Sequence, residues 1–215
     1  MKHTCFSLEC IEAPDSEPVS LAEMKRHLRE FQSSTDIDED INALIIGGRQ
    51  WAERFTGRAL FAQKWRLALW HERRVPRLGF YRGGPAYFVG ADHWWRRARE
   101  IMLRRSPVIE ITSFVSLNEA GEQTTIDAGT YMLRDGGSKW PRIAPLSGAS
   151  WATLNDLQIE FRAGFEDEDA IPICFKQAIK LWAEANYDRD PQMMPLLIKT
   201  AEGLLTQERS GLSIA

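Results

Sequence analysis

"LQIEFRAGFEDEDAIPICFKQAIKLWAEANYDRD", residues 157–190, changes its hydrophobic period part-way along. Leu157, Ile159, Phe161 and Phe165 alternate with polar or small residues, the period of two that a half-buried strand requires. Beyond the acids of "EDED", Phe175, Ala178, Ile179, Trp182 and Ala183 recur at steps of three and four, which lays a buried stripe along a helix. Asp169 is placed to cap that helix, and Pro172 suits its first turn, where a missing N–H costs nothing. The acids just ahead complement the positive end of its dipole. A strand that runs straight into an amphipathic helix predicts a chain mixing sheet and bundle.

Toward the N-terminus the helical signal returns twice. In "PVSLAEMKRHLREF", Ser20 and Glu23 stand in the relation of a capping box, each side chain satisfying the other's backbone N–H. Val19 and Met24 are placed as the hydrophobic staple around it, and a helix from Leu21 to about Phe31 is predicted. Ile37, Ile41, Leu44, Ile45, Trp51, Ala52 and Phe55 form the stripe of a second, longer helix that Gly57 stops. Gly47 and Gly48 inside it each cost about 1 kcal/mol relative to alanine, so another backbone is expected to cross closely there. A last helix from about Pro195 to Gln207 carries Leu196, Leu197, Ala201, Leu204 and Leu205.

Between the helical pairs the period is two. Phe61, Trp65, Leu67 and Leu69 share one face, and similar runs recur at "VIEITSFVSL" and "YMLRD", with turns at Asn118–Gly121 and Gly136-Gly137. The order helix, helix, sheet, helix, helix predicts an α+β fold: a small helical bundle of about four helices with an inserted antiparallel β-sheet. A single domain, 1–215, is expected, with its bundle from 17–58 and 169–207, its β region from 59–70 and 101–166, and an Arg/aromatic-rich insertion at 71–100.

Composition is that of an ordinary soluble protein: 215 residues, 44% hydrophobic, 27% charged, formal net charge −3. Charge is nevertheless sorted along the chain. Between His71 and Arg105 nine arginines face three acids, a local +6. Cys5, Cys10 and Cys174 are an odd number with no C-x-x-C pair, which predicts free thiols in a reducing compartment. The start "MKHTCFSLEC" lacks the apolar run of a secretory signal, and no stretch of the sequence has the length and apolarity of a membrane span. A cytoplasmic protein, or one assembled there, is expected.

Little in the sequence points to catalysis. His3, His27, His71 and His93 never approach H-E-x-x-H spacing. Asp36, Asp38 and Asp40 imitate the start of a calcium loop, but Ile41 stands where its glycine belongs and Gly47 where its glutamate belongs, so they read as helix-start acids. Phosphate-cradling glycine motifs and a nucleophile elbow are missing. No enzyme, metal or cofactor is expected.

The segment "ADHWWRRAREIMLRRSP", residues 91–107, stands out instead. Trp94, Trp95, Arg96, Arg97, Arg99, Arg104 and Arg105 combine the residue types most enriched at interface hot spots with those that neutralise phosphate and stack on bases. Three readings stand side by side: a subunit or partner interface, a solvated face over local core, and a direct DNA contact. "RLGFYRGGPAYFVG" ahead of it reads as a loop suited to ordering on assembly. A non-specific nucleic-acid-binding module using these arginines is the alternative to an assembly protein.

Several of these pieces, in this order, resemble the head-tail connector, or adaptor, proteins of long-tailed phages, prophages and gene transfer agents. "EPVSLAEMKRHLRE" resembles the family's first helix, and "DEDINALIIGGRQWAERFTGRAL" its second, with the aromatic-T-G-R/K turn at Phe55, Thr56, Gly57 and Arg58. "SPVIEITSFVSLNEAGEQTTIDAGTYML" is similar to its central hairpin, and 157–190 to its strand, A-G-aromatic turn, I/V-P helix start and closing tyrosine–arginine motif. The resemblance implies a structural virion protein at the head-tail junction, assembled in the host bacterial cytoplasm. Subunits would form a homo-oligomeric ring of twelve that docks on the portal protein and joins a downstream head-closure, neck or tail protein, with double-stranded DNA passing through and no membrane involved. It also implies a portal-docking segment from Pro191 onward, here Leu196, Leu197, Ile198, Leu204 and Leu205. Residues 71–100 are longer than the family pattern. Independently of the resemblance, a basic middle and acidic ends supply the two unlike, complementary patches that a ring needs.

Overall fold

The alternation at 157–163 forms a strand and the stripe beyond it a helix in the structure, a computed structural model that describes residues 4–31, 35–71, 100–118, 120–147, 149, 156–188 and 190–209. Its strands are β1 (Thr4–Glu12), β2 (Gln63–His71), β3 (Ile101–Met102), β4 (Val108–Leu117), β5 (Gln123–Thr125), β6 (Tyr131–Arg134), β7 (Arg142–Pro145) and β8 (Asp156–Ala163). Its helices are α1 (Leu21–His27), α2 (Asp38–Thr56), α3 (Ile173–Asp188) and α4 (Met194–Leu205). The fold is α+β, and all strand pairing within its sheets is antiparallel. The described residues divide into two compact units, one within Pro14–Ala62 and Gly164–Ile214, the other within Met1–Ala13 and Gln63–Ala163.

The helical unit buries Met24, Ile41, Ile45, Phe175, Ile179 and Leu205 completely or nearly so. The capping box forms as the sequence predicts: the Glu23 backbone N–H donates to Ser20 Oγ (3.2 Å) and the Ser20 N–H to Glu23 Oε2 (3.1 Å). That N–H, helped by Lys180, holds the Glu23 carboxyl below its ordinary value. Helix α1 is shorter than the expected run to Phe31. Arg29 takes a left-handed φ of 61°, and the Glu30 N–H donates back to the Lys25 carbonyl at 2.9 Å, a reversal that glycine usually makes and no glycine announces here.

Side by side with α1 runs α3, in the same direction and in a constant register: Lys180 reaches Glu23 (3.5 Å), Glu184 meets His27 (2.9 Å), and the Tyr187 hydroxyl donates to Glu30 (2.8 Å). Helix α2 runs against α3. A Cβ on Gly47 would lie 3.0 Å from the Trp182 ring, and one on Gly48 3.0 Å from Ile179 Cγ2 and 3.3 Å from its carbonyl. The two glycines are therefore where α3 crosses, as their helix-interior position implied. Gly57 closes α2 in the left-handed region (φ 75°).

Two expectations at the sheet-to-helix junction need correction. Phe165 does not continue the face of Leu157, Ile159 and Phe161: Gly164 turns the chain with φ 129°, and Phe165 bridges Phe61 and packs against the helical core. Phe61 goes with it, leaving Trp65, Leu67 and Leu69 as the buried face of β2. A Cβ on Gly164 would sit 1.9 Å from the Phe61 carbonyl oxygen, so glycine is the residue this close approach admits. Asp169 does not cap α3 either; it lies in a short 3₁₀ turn (Glu168–Ala170), and the helix starts after Pro172, whose carbonyl accepts from the Phe175 N–H at 3.0 Å.

The sheet unit contains two sheets where the sequence suggested one. Five strands run in the order β1-β2-β8-β4-β5, and three in the order β3-β7-β6. Strand β1 was not anticipated. Its register places Phe6, Leu8 and Cys10 beside Leu69, Leu67 and Trp65, in line with Leu157, Ile159 and Phe161 of β8. From the smaller sheet come the buried Ile101 and Ile143, and Phe114 of β4 meets Tyr131 of β6 edge to face at 5.2 Å. Burial and the nearby Asp127 push the Tyr131 hydroxyl up.

Candidate functional site

Of the seven residues singled out in the arginine-rich segment, Trp94, Trp95, Arg96, Arg97 and Arg99 lie outside the described residues. Arg104 and Arg105 follow β3 and lead into β4, where both turn onto aromatic rings of their own sheet. The Arg104 guanidinium lies 4.0 Å from the centre of the Phe6 ring, and that of Arg105 lies 4.5 Å from the Trp65 ring. Each cation meets the electron-rich face of a ring. Arg105 Nη1 also donates to the Arg104 carbonyl at 3.4 Å. Burial pulls the Arg104 pKa down from its usual value. These two arginines are half-buried fasteners of β1 and β2, a different arrangement from a comb of cations held out to phosphate.

The opposite face of the larger sheet carries charge of both signs in register. Lys64 reaches Glu160 (3.1 Å) and Glu12 (3.9 Å), Arg66 reaches Glu160 (2.9 Å) and Glu9 (3.8 Å), and Arg162 reaches Glu110 (3.0 Å). These cross-strand pairs neutralise one another along β1, β2, β8 and β4. Burial works against ionising Glu160, but Arg66 and Lys64 still hold its carboxyl below the ordinary value. In the smaller sheet Arg134 and Arg142 are direct cross-strand neighbours, a repulsive arrangement that Glu100 bridges at 3.0 and 2.9 Å. The hydrogen bond from Arg142, with Arg134 adding to it, lowers the Glu100 pKa.

The predicted docking leucines on α4 are split by the structure. Leu205 is fully buried in the helical core, with Leu204 packed against it, while Leu197 and Ile198 are half-buried. Leu196 is 57% exposed. The exposed end of this set is thus in the first turn of α4, while Leu205 is committed to the fold.

What sequence reasoning missed is the end of the bundle at which that first turn sits. The register of α1 with α3, and the opposite run of α2, bring together the residues after α1, the start of α2, the end of α3 and the start of α4. Phe31 is 81% exposed there and Met193 46%. The same four segments carry exposed acids: Asp36, Glu39, Asp40, Asp188 and Asp190. The Tyr187 hydroxyl is pushed up first by the bond to Glu30, then by burial and by Asp188 and Asp40. In sequence, Phe31 is the expected last residue of α1.

At the other end Arg58 pairs with Glu208 and lies 5.2 Å from the Phe165 ring and 5.9 Å from the Phe175 ring. Burial, with Glu208 nearby, pushes the Cys174 thiol up, away from nucleophilic use at neutral pH. Among the described residues no group of three or more His, Cys, Asp or Glu is placed to hold a metal ion. None of the described helices is long and apolar enough to cross a membrane.

Comparison with solved structures gives the fold a counterpart. The chain is similar to one in the neck of an empty GTA particle computed with C6 symmetry, with a TM-score of 0.65 and 23% identity over 91% of this chain and 94% of that one. It is similar also to a chain in the virion of a native gene transfer agent (GTA) particle, with a TM-score of 0.64 and 23% identity over 90% and 93%. A third likeness, to a chain in the neck of a native GTA particle computed with C12 symmetry, has a TM-score of 0.58 and 24% identity over 91% and 94%. No protein-family model and no curated protein matches the sequence.

Proposed function

We propose that the chain is a structural subunit of the neck of a phage-like particle: an adaptor whose copies close into a ring, dock on the portal and link the DNA-filled head to the next neck or tail component. The observation that carries this reading is the likeness to GTA neck chains over nine-tenths of both partners. The C6 and C12 symmetries of those necks favour a cyclic arrangement for this chain as well. A cyclic ring is built from one patch meeting a different patch on the next copy, so the subunit needs two unlike surfaces and no catalytic pocket. The sorted charge of the sequence, +6 between His71 and Arg105 against an acidic remainder, supplies unlike surfaces.

In this reading DNA passes through the ring without being read. Sliding passage favours scattered phosphate contacts over base-specific ones. Assembly takes place in the host bacterial cytoplasm and the finished location is the head-tail junction. Electron microscopy of the purified chain, alone and mixed with the portal protein of the same particle, tests the proposal: closed rings, coaxial with the portal when it is present, are expected. Monomers under both conditions would overturn it.

A further inference from the structure

The end of the helical bundle that holds the start of α4 has the composition of a docking face rather than of a solvated cap. Phe31, Met193 and Leu196 are large apolar side chains that are 81%, 46% and 57% exposed. Their neighbours Asp36, Glu39, Asp40, Asp188 and Asp190 are exposed acids, and Glu30 takes its hydrogen bond from Tyr187. Lys25 is buried and spent on Asp38, which leaves the exposed Arg26, Arg29 and Lys199 as the nearby described cations. A centre of aromatic and aliphatic side chains with a rim in which acids predominate is the anatomy of an interface whose partner carries the opposite sign.

The chain itself encodes such a partner. Residues 73–99 combine seven arginines with Trp94 and Trp95, the residue types that anchor interfaces, against Asp92. We infer that the acidic, apolar end of the helical bundle, centred on Phe31, Met193 and Leu196, receives the arginine- and tryptophan-rich segment of a second copy of this chain. The inference rests on the ring reading above and deepens it by naming the two unlike faces of its repeating contact. Head-to-tail contact through unlike patches propagates from copy to copy and closes when the rotation allows.

Two full-length variants test it by sedimentation velocity and electron microscopy. One reverses the acceptor, Asp40→Arg with Asp188→Arg; both side chains are exposed, so the bundle core is untouched. The other reverses the donor, Arg96→Glu with Arg97→Glu. Each alone is expected to weaken self-association about tenfold or more, because like charges then face each other across the contact. Mixed in equal amounts they restore it, since the reversed acceptor of one fits the reversed donor of the other and the two unreversed faces also match.

Assembly of both single variants at wild-type strength, or a mixture no better than either alone, would overturn the inference while leaving the ring reading standing. So would an altered thermal midpoint with unchanged association, the result expected if the segment folds back on its own bundle. A wild-type chain that never associates would remove the ring reading, and this contact with it.

Discussion

Helical unit and sheet unit draw on the same charged residue types and use them in opposite ways. In the bundle Arg49 is buried between Glu17 (2.8 Å) and Glu53 (2.9 Å), and Glu53 spends its other oxygen on the Leu60 N–H (2.9 Å). Burial opposes the Arg49 charge, yet those two carboxylates raise its pKa above the usual value. In the larger sheet the ion pairs lie on an outward face, and Arg66, Arg162 and Glu110 remain largely open to water. Buried pairs fix geometry and are costly to break; exposed pairs leave a face nearly neutral and cost little to lose. The comparison teaches that the bundle is built to hold a shape and the sheet face to be electrically quiet.

The largest effect that would break this contrast is expected at Glu53. Glu53→Ala leaves the buried Arg49 with Glu17 as its remaining carboxylate and unpairs the Leu60 N–H, and should cost about 3–5 kcal/mol in urea unfolding followed by tryptophan fluorescence. A loss under about 1 kcal/mol would place Glu53 with the exposed pairs. Next comes Gly48→Ala, where the new Cβ meets Ile179 side chain and carbonyl; overpacking should outweigh the gain in helix propensity and cost about 1–3 kcal/mol. Gly203→Ala sharpens the point on α4, since nothing lies within 4 Å and the same change should stabilise by up to about 1 kcal/mol.

Smaller still is the Arg162–Glu110 pair of the sheet face. A double-mutant cycle to alanine should return a coupling of about 0.2–1 kcal/mol that fades with added salt. Acid titration supplies the finest comparison. Because Glu160 has a folded-state pKa below the ordinary 4.5, the native state binds its proton later than the unfolded chain does. Its contribution is complete above about pH 4.5 and disappears as pH falls through the lower folded value. The stability gap between wild type and Glu160→Gln should therefore be constant at neutral pH and close below pH 4.5 when urea midpoints are compared across pH. A gap that widens in acid would reverse the assigned sign.

Much of the architecture is legible where one residue type has one physical use. The capping box at Ser20 and Glu23, the stop at Gly57 and the stripe of α3 depend on neighbours within a turn or two, and the sequence shows all of them. Legibility fails where the decisive partner is distant. Phe61 and Phe165 fit the alternation of their strands, but Gly164 lets the two segments cross and sends both rings into the helical core. Strand β1 shows its alternation only once β2 lies beside it. Arg104 and Arg105 are candidates for an interface or a DNA contact in sequence, and only the structure sets Phe6 and Trp65 beneath them. The acidic, apolar bundle end is invisible for the same reason: its members come from four segments joined by the register of α1 with α3.

A neck adaptor of the proposed kind requires that copies of this chain join head to tail into one closed ring. Native mass spectrometry of the purified full-length chain over a concentration series measures this directly. A single oligomer at one fixed integer multiple of 24.6 kDa, with no open-ended ladder above it, is the predicted result. A spectrum holding the 24.6 kDa monomer alone at every concentration, or a ladder of lengths without a closed species, would contradict it.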